Sequence, residues 1–190
     1  MTTLYVDNIA PNLQSKISAP NLTLPTGSVV QVVSTPKIDT FTMSSQTFTD
    51  ITGLSVAFTP KAATNKILIT GFISVGINYD ATVVARIKKE VNGAGSVFGS
   101  PAAANQRSLG HSTLGYMYLG GNNADRYEIQ SLPINFLHTL SSSDSTTIKM
   151  QIANGDASGQ SVFVNRSEVD VNAVWNSRGT SQLTIQEIAG

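Results

Sequence analysis

The sequence predicts an all-β fold: an antiparallel sandwich of jelly-roll type with about nine or ten strands. Three observations predict it. Short runs rich in Val, Ile and Phe alternate with polar residues at a period of two. Turn residues interrupt these runs at roughly 8- to 12-residue intervals. No ten-residue window carries apolar side chains at helical spacing.

Residues 1–27 stand apart from residues 28–190, so the chain divides into an extended N-terminal anchoring arm and one sandwich domain. The arm holds a single short apolar run, Leu4, Tyr5, Val6 and Ile9, followed by Pro11, Pro20 and Pro25. Proline forbids a helix there and favours extended chain. Such a stretch buries no core of its own, so it lies on something else or is a loose terminus.

Strands follow from residue 29. The run 29–33 is apolar and β-branched. Leu54, Val56 and Phe58 alternate with Ser55, Ala57 and Thr59 and stop at Pro60. Residues 66–78 give the clearest strand, with Ile67, Ile69, Ile73, Val75 and Ile77 on one face and Leu68 and Phe72 on the other. A strand that is partly apolar on both faces is central or covered twice. In 82–91, Val83, Ala85 and Ile87 oppose Arg86 and Lys88, and Asn92-Gly93 is a tight-turn signal. After a brief strand at 96–98, residues 101–111 read as a polar loop. Residues 113–119 then form an aromatic strand with Tyr116 and Tyr118. In 128–140, Leu132, Ile134, Phe136, His138 and Leu140 share a face. In 146–152, Thr146, Ile148, Met150 and Ile152 alternate with Thr147, Lys149 and Gln151. Residues 161–165 and 183–188 are strands, separated by a loop at 168–180 that contains Trp175.

Composition excludes several classes of function. There are 12 basic and 12 acidic residues and no Cys. Disulfides and thiol chemistry are therefore absent. Nucleic-acid binding needs a basic excess that is missing here. No stretch reaches the roughly 18 to 20 apolar residues of a membrane helix, so membrane insertion is not expected. The glycosylation sequons at Asn21 and Asn165 read as chance.

Specific wording adds a resemblance. The order 48–56 (FTDITGLSV), 58–60 (FTP), 65–69 (NKILI) and 183–190 (LTIQEIAG) resembles small tail-fibre-like virion proteins of marine and freshwater tailed bacteriophages, including cyanophages. The opening 3–9 and the stretch 24–32 look like the same family's N-terminal region. The strand succession also resembles the C1q and tumour-necrosis-factor jelly roll. The resemblance implies a non-enzymatic structural protein of the virion, assembled as a homotrimer. It would be a short tail fibre or fibre-like module, docked to other virion proteins through Leu4, Tyr5, Val6 and Ile9 and contacting the host surface by its loops. A trimeric capsid decoration, cement or head-fibre protein that stabilises the shell is the alternative. Tyr116 and Tyr118 are candidates for the trimer interface, because aromatic residues concentrate at interface centres.

Catalytic and metal motifs are not found: no G-x-S-x-G, P-loop, H-E-x-x-H or G-x-G-x-x-G is present. No cofactor is expected, and no enzyme. His111 reads as a solvated loop residue and His138 as a packed one bonded to a backbone group. A metal held by three copies of His138 on a trimer axis is a remote alternative. Glu168 and Asp170 share strand parity but read as a solvated face. The candidate receptor loops carry Trp175 with Arg178, then Tyr79 and Arg107. A Trp beside amides and a guanidinium suits a host surface glycan, although a Trp packed beneath its loop is the commoner arrangement.

Overall fold

The computed structural model describes residues 24–77, 81–102, 105, 107–114, 124–155 and 160–190. Eleven strands lie among them: β1 Val29–Lys37, β2 Phe41–Met43, β3 Thr49–Phe58, β4 Lys66–Ile77, β5 Val83–Val91, β6 Ala94–Phe98, β7 Ser112–Leu114, β8 Gln130–Thr139, β9 Thr146–Asn154, β10 Val162–Val164 and β11 Ser181–Ile188. The helical content of the described residues is one short 3-10 turn, Ala124–Tyr127.

The strands form two antiparallel sheets. Sheet A runs β1-β11-β4-β8, with β10 and β2 continuing beyond β11 at the far end of β4. Sheet B runs β3-β9-β5, with β6 and β7 sharing the outer edge of β5. The pairings are nested: β1 with β11, β3 with β9, β4 with β8, and β5 with β6. Nesting of this kind wraps a long hairpin into two facing sheets, which is the jelly-roll order expected from the strand spacing.

The core lies between the sheets. Ile67, Ile69 and Ile73 from β4 meet Ile87, Ile148 and Ile152 from sheet B, all fully buried. Each such side chain is stabilised by roughly 1.5–3 kcal/mol on leaving water. Asn92-Gly93 turns β5 into β6 with both residues at positive φ, as the tight hairpin type requires. Gly71 has a different reason: a Cβ there would lie 2.1 Å from the Gln182 carbonyl oxygen of β11. Pro36 and Pro133 fall on β1 and β8, both edge strands of sheet A. An edge position tolerates a missing N–H.

Several boundaries differ from the sequence reading. β1 runs on to Lys37, whose side chain is fully buried with its ammonium 2.8 Å from Asp39. β2 was not anticipated. It has three residues with one Thr in the middle, and it exists because β10 pairs with it. The predicted aromatic strand 113–119 is described only through Leu114, so Tyr116 and Tyr118 lie outside the described residues. So do Tyr79 and the arm residues Leu4, Tyr5, Val6 and Ile9. Of the segment 1–27, residues 24–27 are described; Gly27 N–H donates to Ala189 O at 2.9 Å.

The two outer faces differ sharply. Register places three cross-strand rows on the outside of sheet A: Val32–Gln186–Leu68–Leu137, Ser34–Thr184–Thr70–Asn135 and Pro36–Gln182–Phe72–Pro133. None of these positions is charged; Lys66 stands beyond them at the rim. Val32 and Leu137 are 59% and 52% exposed. The outside of sheet B carries an ionic lattice instead. Gln151 donates to Asp50 at 2.5 Å and accepts from Arg86 at 2.7 Å. Lys149 reaches Glu90 at 2.8 Å and Asp50 at 3.4 Å, and Lys88 reaches Glu90 at 2.7 Å. The Arg86 guanidinium also lies 3.8 Å over the Phe48 ring.

Candidate functional site

The connection from β10 to β11, residues 165–180, is built on a buried hinge. Asn165 takes φ 63°, a left-handed conformation that Asn tolerates. Its side chain is 0% exposed. Its amide donates to Lys37 O at 2.9 Å and Asp39 O at 2.8 Å, and its oxygen accepts from the Ser181 hydroxyl at 2.6 Å. The sequon at this position is therefore closed to modification in the folded chain.

Polar contacts then brace the loop from within. Ser167 Oγ lies 2.7 Å from Val169 O and 3.2 Å from Asn176 Oδ1. The Asn176 amide also donates to Val169 O. Arg178 grips Asp170 with two bonds, Nη2 to Oδ2 at 2.6 Å and Nε to Oδ1 at 3.1 Å. Arg166 stacks 4.2 Å over the Phe163 ring. The 3-10 turn Ala124–Tyr127 is tied in by Val169 N–H to Arg126 O at 3.0 Å and by Arg126 to Glu168 at 2.9 Å.

On this frame sits a turn closed by Asn176 N–H to Ala173 O at 3.0 Å. Val174 and Trp175 occupy its two corners. Val174 is fully exposed and Trp175 is 61% exposed. The indole meets the Tyr127 ring edge to face, with centroids 5.2 Å apart at 78°. Beside it lies an open depression of about 350 Å3, lined by Asp170, Val171, Asn172, Ala173, Asn176 and Arg178. The structure thus places Trp175 on display, not beneath its loop; Arg178 lines the depression, while Trp175 and Tyr127 are not among its lining residues. Arg107 is exposed in the 99–111 connection between β6 and β7 and does not line this depression. Tyr127 was missed by sequence reasoning; a lone Tyr after Arg126 gives no periodic signal.

Two expectations are corrected. Glu168 is not part of a solvated face, although Asp170 is exposed as expected. Each is held by an arginine, and the Glu168 side chain is only 13% exposed. His111 is not a free loop residue. Its Nδ1 lies 3.3 Å from Gly99 O, its Nε2 accepts from Asn135 N–H at 3.4 Å, and it packs edge-on to Phe136. Both corrections share a cause: long-range partners that local sequence does not reveal. His138 is packed as expected, stacked on Phe98 at 4.5 Å, although its polar partner is the Lys89 ammonium at 3.2 Å and no backbone group. Burial first, and then the Lys89 charge, push its pKa below the ordinary imidazole value. Among the described residues, no three His, Asp or Glu side chains stand together as a metal-binding group.

The described residues therefore define an all-β sandwich of jelly-roll order that displays a braced aromatic loop. No family model matches the chain, and no curated protein matches it. Among solved structures the chain is similar to that of infectious bursal disease virus Gx strain, with 16% identity and a TM-score of 0.44 over 95% of this chain and 41% of that one. The Gt strain gives 17% identity and a TM-score of 0.43 over 94% and 43%. The VP2 subviral particle of the same virus gives 16% and 0.41 over 95% and 42%. The chain thus spans about two fifths of the length of these viral chains.

Proposed function

We propose that this protein is a non-enzymatic structural component of a tailed-phage virion, a homotrimer built by association of sheet A outer faces. The observation that carries the reading is the uncharged face. Cross-strand rows from Val32 to Leu137 and from Pro36 to Pro133 offer apolar and amide groups with no ionic side chain among them. Copies of this chain are its best occupant, because neutral surface meeting neutral surface strands no charge away from water. The sequence resemblance of residues 48–69 and 183–190 to phage fibre-like proteins supports a virion setting.

In this reading the trimer is a short tail fibre or fibre-like module, anchored by residues 1–27. A head-mounted decoration protein is the second reading. It is favoured by β1, which is paired on one side only among the described residues and is entered directly from residues 24–28. An edge strand of this kind accepts or donates strand pairing to a neighbour. The absence of catalysis is part of the same proposal: the carboxylates nearest the displayed loop, Glu168 and Asp170, are engaged by arginine.

Sedimentation velocity on the full chain tests the assembly. A species of about 60 kDa, three copies of the 20.1 kDa chain, is expected. A single 20 kDa species at micromolar concentration would overturn the reading. Labelling the protein on intact particles, seen by electron microscopy on tail or head, separates fibre from decoration.

A further inference from the structure

We infer that the shelf made by Trp175 and Tyr127, with the depression beside it, is a binding site for a neutral glycan. This rests on the fibre form of the proposed function, in which loops distal to the anchor meet a surface.

Exposure comes first. Placing Val174 and Trp175 at the corners of a turn leaves two large apolar side chains largely in water, a cost the Tyr127 contact offsets only in part. The turn is nevertheless closed by a backbone hydrogen bond and flanked by braced segments. Ser167, Asn176, the Asp170–Arg178 fork and the Arg126–Glu168 bridge brace the segments on either side of it. Rigidity before binding lowers the entropic cost of holding a ligand. The edge-on Tyr127 ring fixes the indole plane. A fixed, exposed indole is suited to the C–H face of a pyranose ring, an apolar surface rimmed by hydroxyls.

The polar side of the site sets the class of sugar. Asp170 and Arg178 neutralise one another through two bonds. The pair offers leftover lone pairs and N–H groups, with the Arg166 guanidinium 4.0 Å from the same carboxylate, and Asn172 and Asn176 add amides at the rim of the depression. Hydroxyl groups donate and accept at once, so they match such a mixed set. A sulfate or phosphate would have to compete with Asp170 for Arg178. At about 350 Å3 the depression falls at the small end of the range for ligand sites, which suits one or two sugar rings with the rest of the chain in solvent.

The sequence provides a direct reporter, because Trp175 is the single Trp of the chain. The full-length protein is applied to a printed array of neutral hexose oligosaccharides of bacterial type, with sulfated heparin fragments as a charged arm. Retention of at least one neutral oligosaccharide is expected, and the same compound in solution shifts the Trp175 emission. Trp175→Ala weakens retention about tenfold or more, the range of a lost ring contact. Asn172→Ala weakens it less and keeps the emission shift. Circular dichroism melts confirm that both variants fold. An array without neutral hits, retention confined to the sulfated arm, or equal retention by Trp175→Ala overturns the site. So does an empty array combined with a Trp175→Ala protein that fails to join its particle, which would make the shelf a protein contact. A chain that sediments as a monomer yet binds through Trp175 removes the trimer reading and leaves this site standing. An assembled chain that ignores the array does the reverse.

Discussion

The two outer faces of the sandwich are made from the same kind of strand and end in opposite states. Outside sheet B, Asp50, Arg86, Lys88, Glu90 and Lys149 are tied together by Gln151 and by one another. That face is finished: its charges have partners and its remaining hydrogen-bonding capacity meets water. Outside sheet A, the same register brings Val32, Leu68 and Leu137 into line and supplies amides and hydroxyls between them. That face carries no ion pairs: its amides and hydroxyls can meet water, but Val32 and Leu137 stand exposed among them. The lesson is that in a chain with so few charges their placement is informative, and the face they avoid is the one proposed above to be covered by copies of the chain.

The largest test of this contrast is Leu137→Glu. A carboxylate in the middle of the neutral face would be buried unpaired on association, at a cost of about 3 kcal/mol or more per contact. Sedimentation should show the trimer replaced by monomer, and the melt should lose its dependence on protein concentration while the monomer still folds, because Leu137 faces outward. Persistence of the trimer would place the interface elsewhere.

A smaller effect is expected on the opposite face. Gln151→Ala removes the amide that joins Asp50 to Arg86 and should destabilise the fold by about 1–2 kcal/mol. Thermal melts should shift down by a few degrees, roughly 2–4 °C per kcal/mol for a chain of this size. The sedimentation coefficient should not change. A variant that dissociates the assembly would contradict the division of roles between the faces.

The smallest and most graded test is pH. Bonds from Lys149 and then Lys88 hold the Glu90 carboxyl below its ordinary pKa. Its contribution is present above the ordinary carboxylate range and is lost as pH falls through the lowered value. Its partner Lys149 is raised, chiefly by Glu90, so its contribution is present below the ordinary lysine value and lost as pH climbs past it. His138 works in the acid direction too. Because burial and Lys89 depress its pKa, the unfolded chain binds the proton first as pH drops below about 6.5, and stability declines from there. Melting temperature should therefore step down on acidification, with the first step removed in His138→Gln. Sheet A has no titrating side chain in its three rows, so the assembled mass should stay constant from about pH 5 to 9. Dissociation inside that window would show that a charged surface takes part.

Much of the fold was legible because a period of two survives in single strands. Ile67, Ile69, Ile73 and Val75 alternate visibly, and so do Ile148, Met150 and Ile152; the structure buries all of them. The opposed pair Leu68 and Phe72 already marked the face now seen on the outside of sheet A. What stayed hidden depends on partners far along the chain. Glu187 is fully buried because Asn65 and the Lys61 N–H bond it at 2.7 Å, and the Gln31 amide does so as well. Lys37 and Asn165 are buried for similar reasons. No local pattern marks a polar residue as interior. The displayed loop was half legible. Trp175 and Arg178 stood out by residue type, but the exposure of the indole depends on Ser167, Asn176 and Asp170, and its companion Tyr127 comes from another segment.

The nested pairing has a kinetic consequence. β1 is made early, yet its partner β11 begins at Ser181, about 140 residues after Lys37. At ribosomal speeds of roughly 5–20 residues per second, β1 waits on the order of ten seconds for the strand that completes its sheet. Sheet B can close sooner, since β3, β5 and β9 all precede β10. Sheet A is thus assembled last around a half-made protein, and a nascent chain stalled before β11 would leave Ile67 and Ile69 open to aggregation.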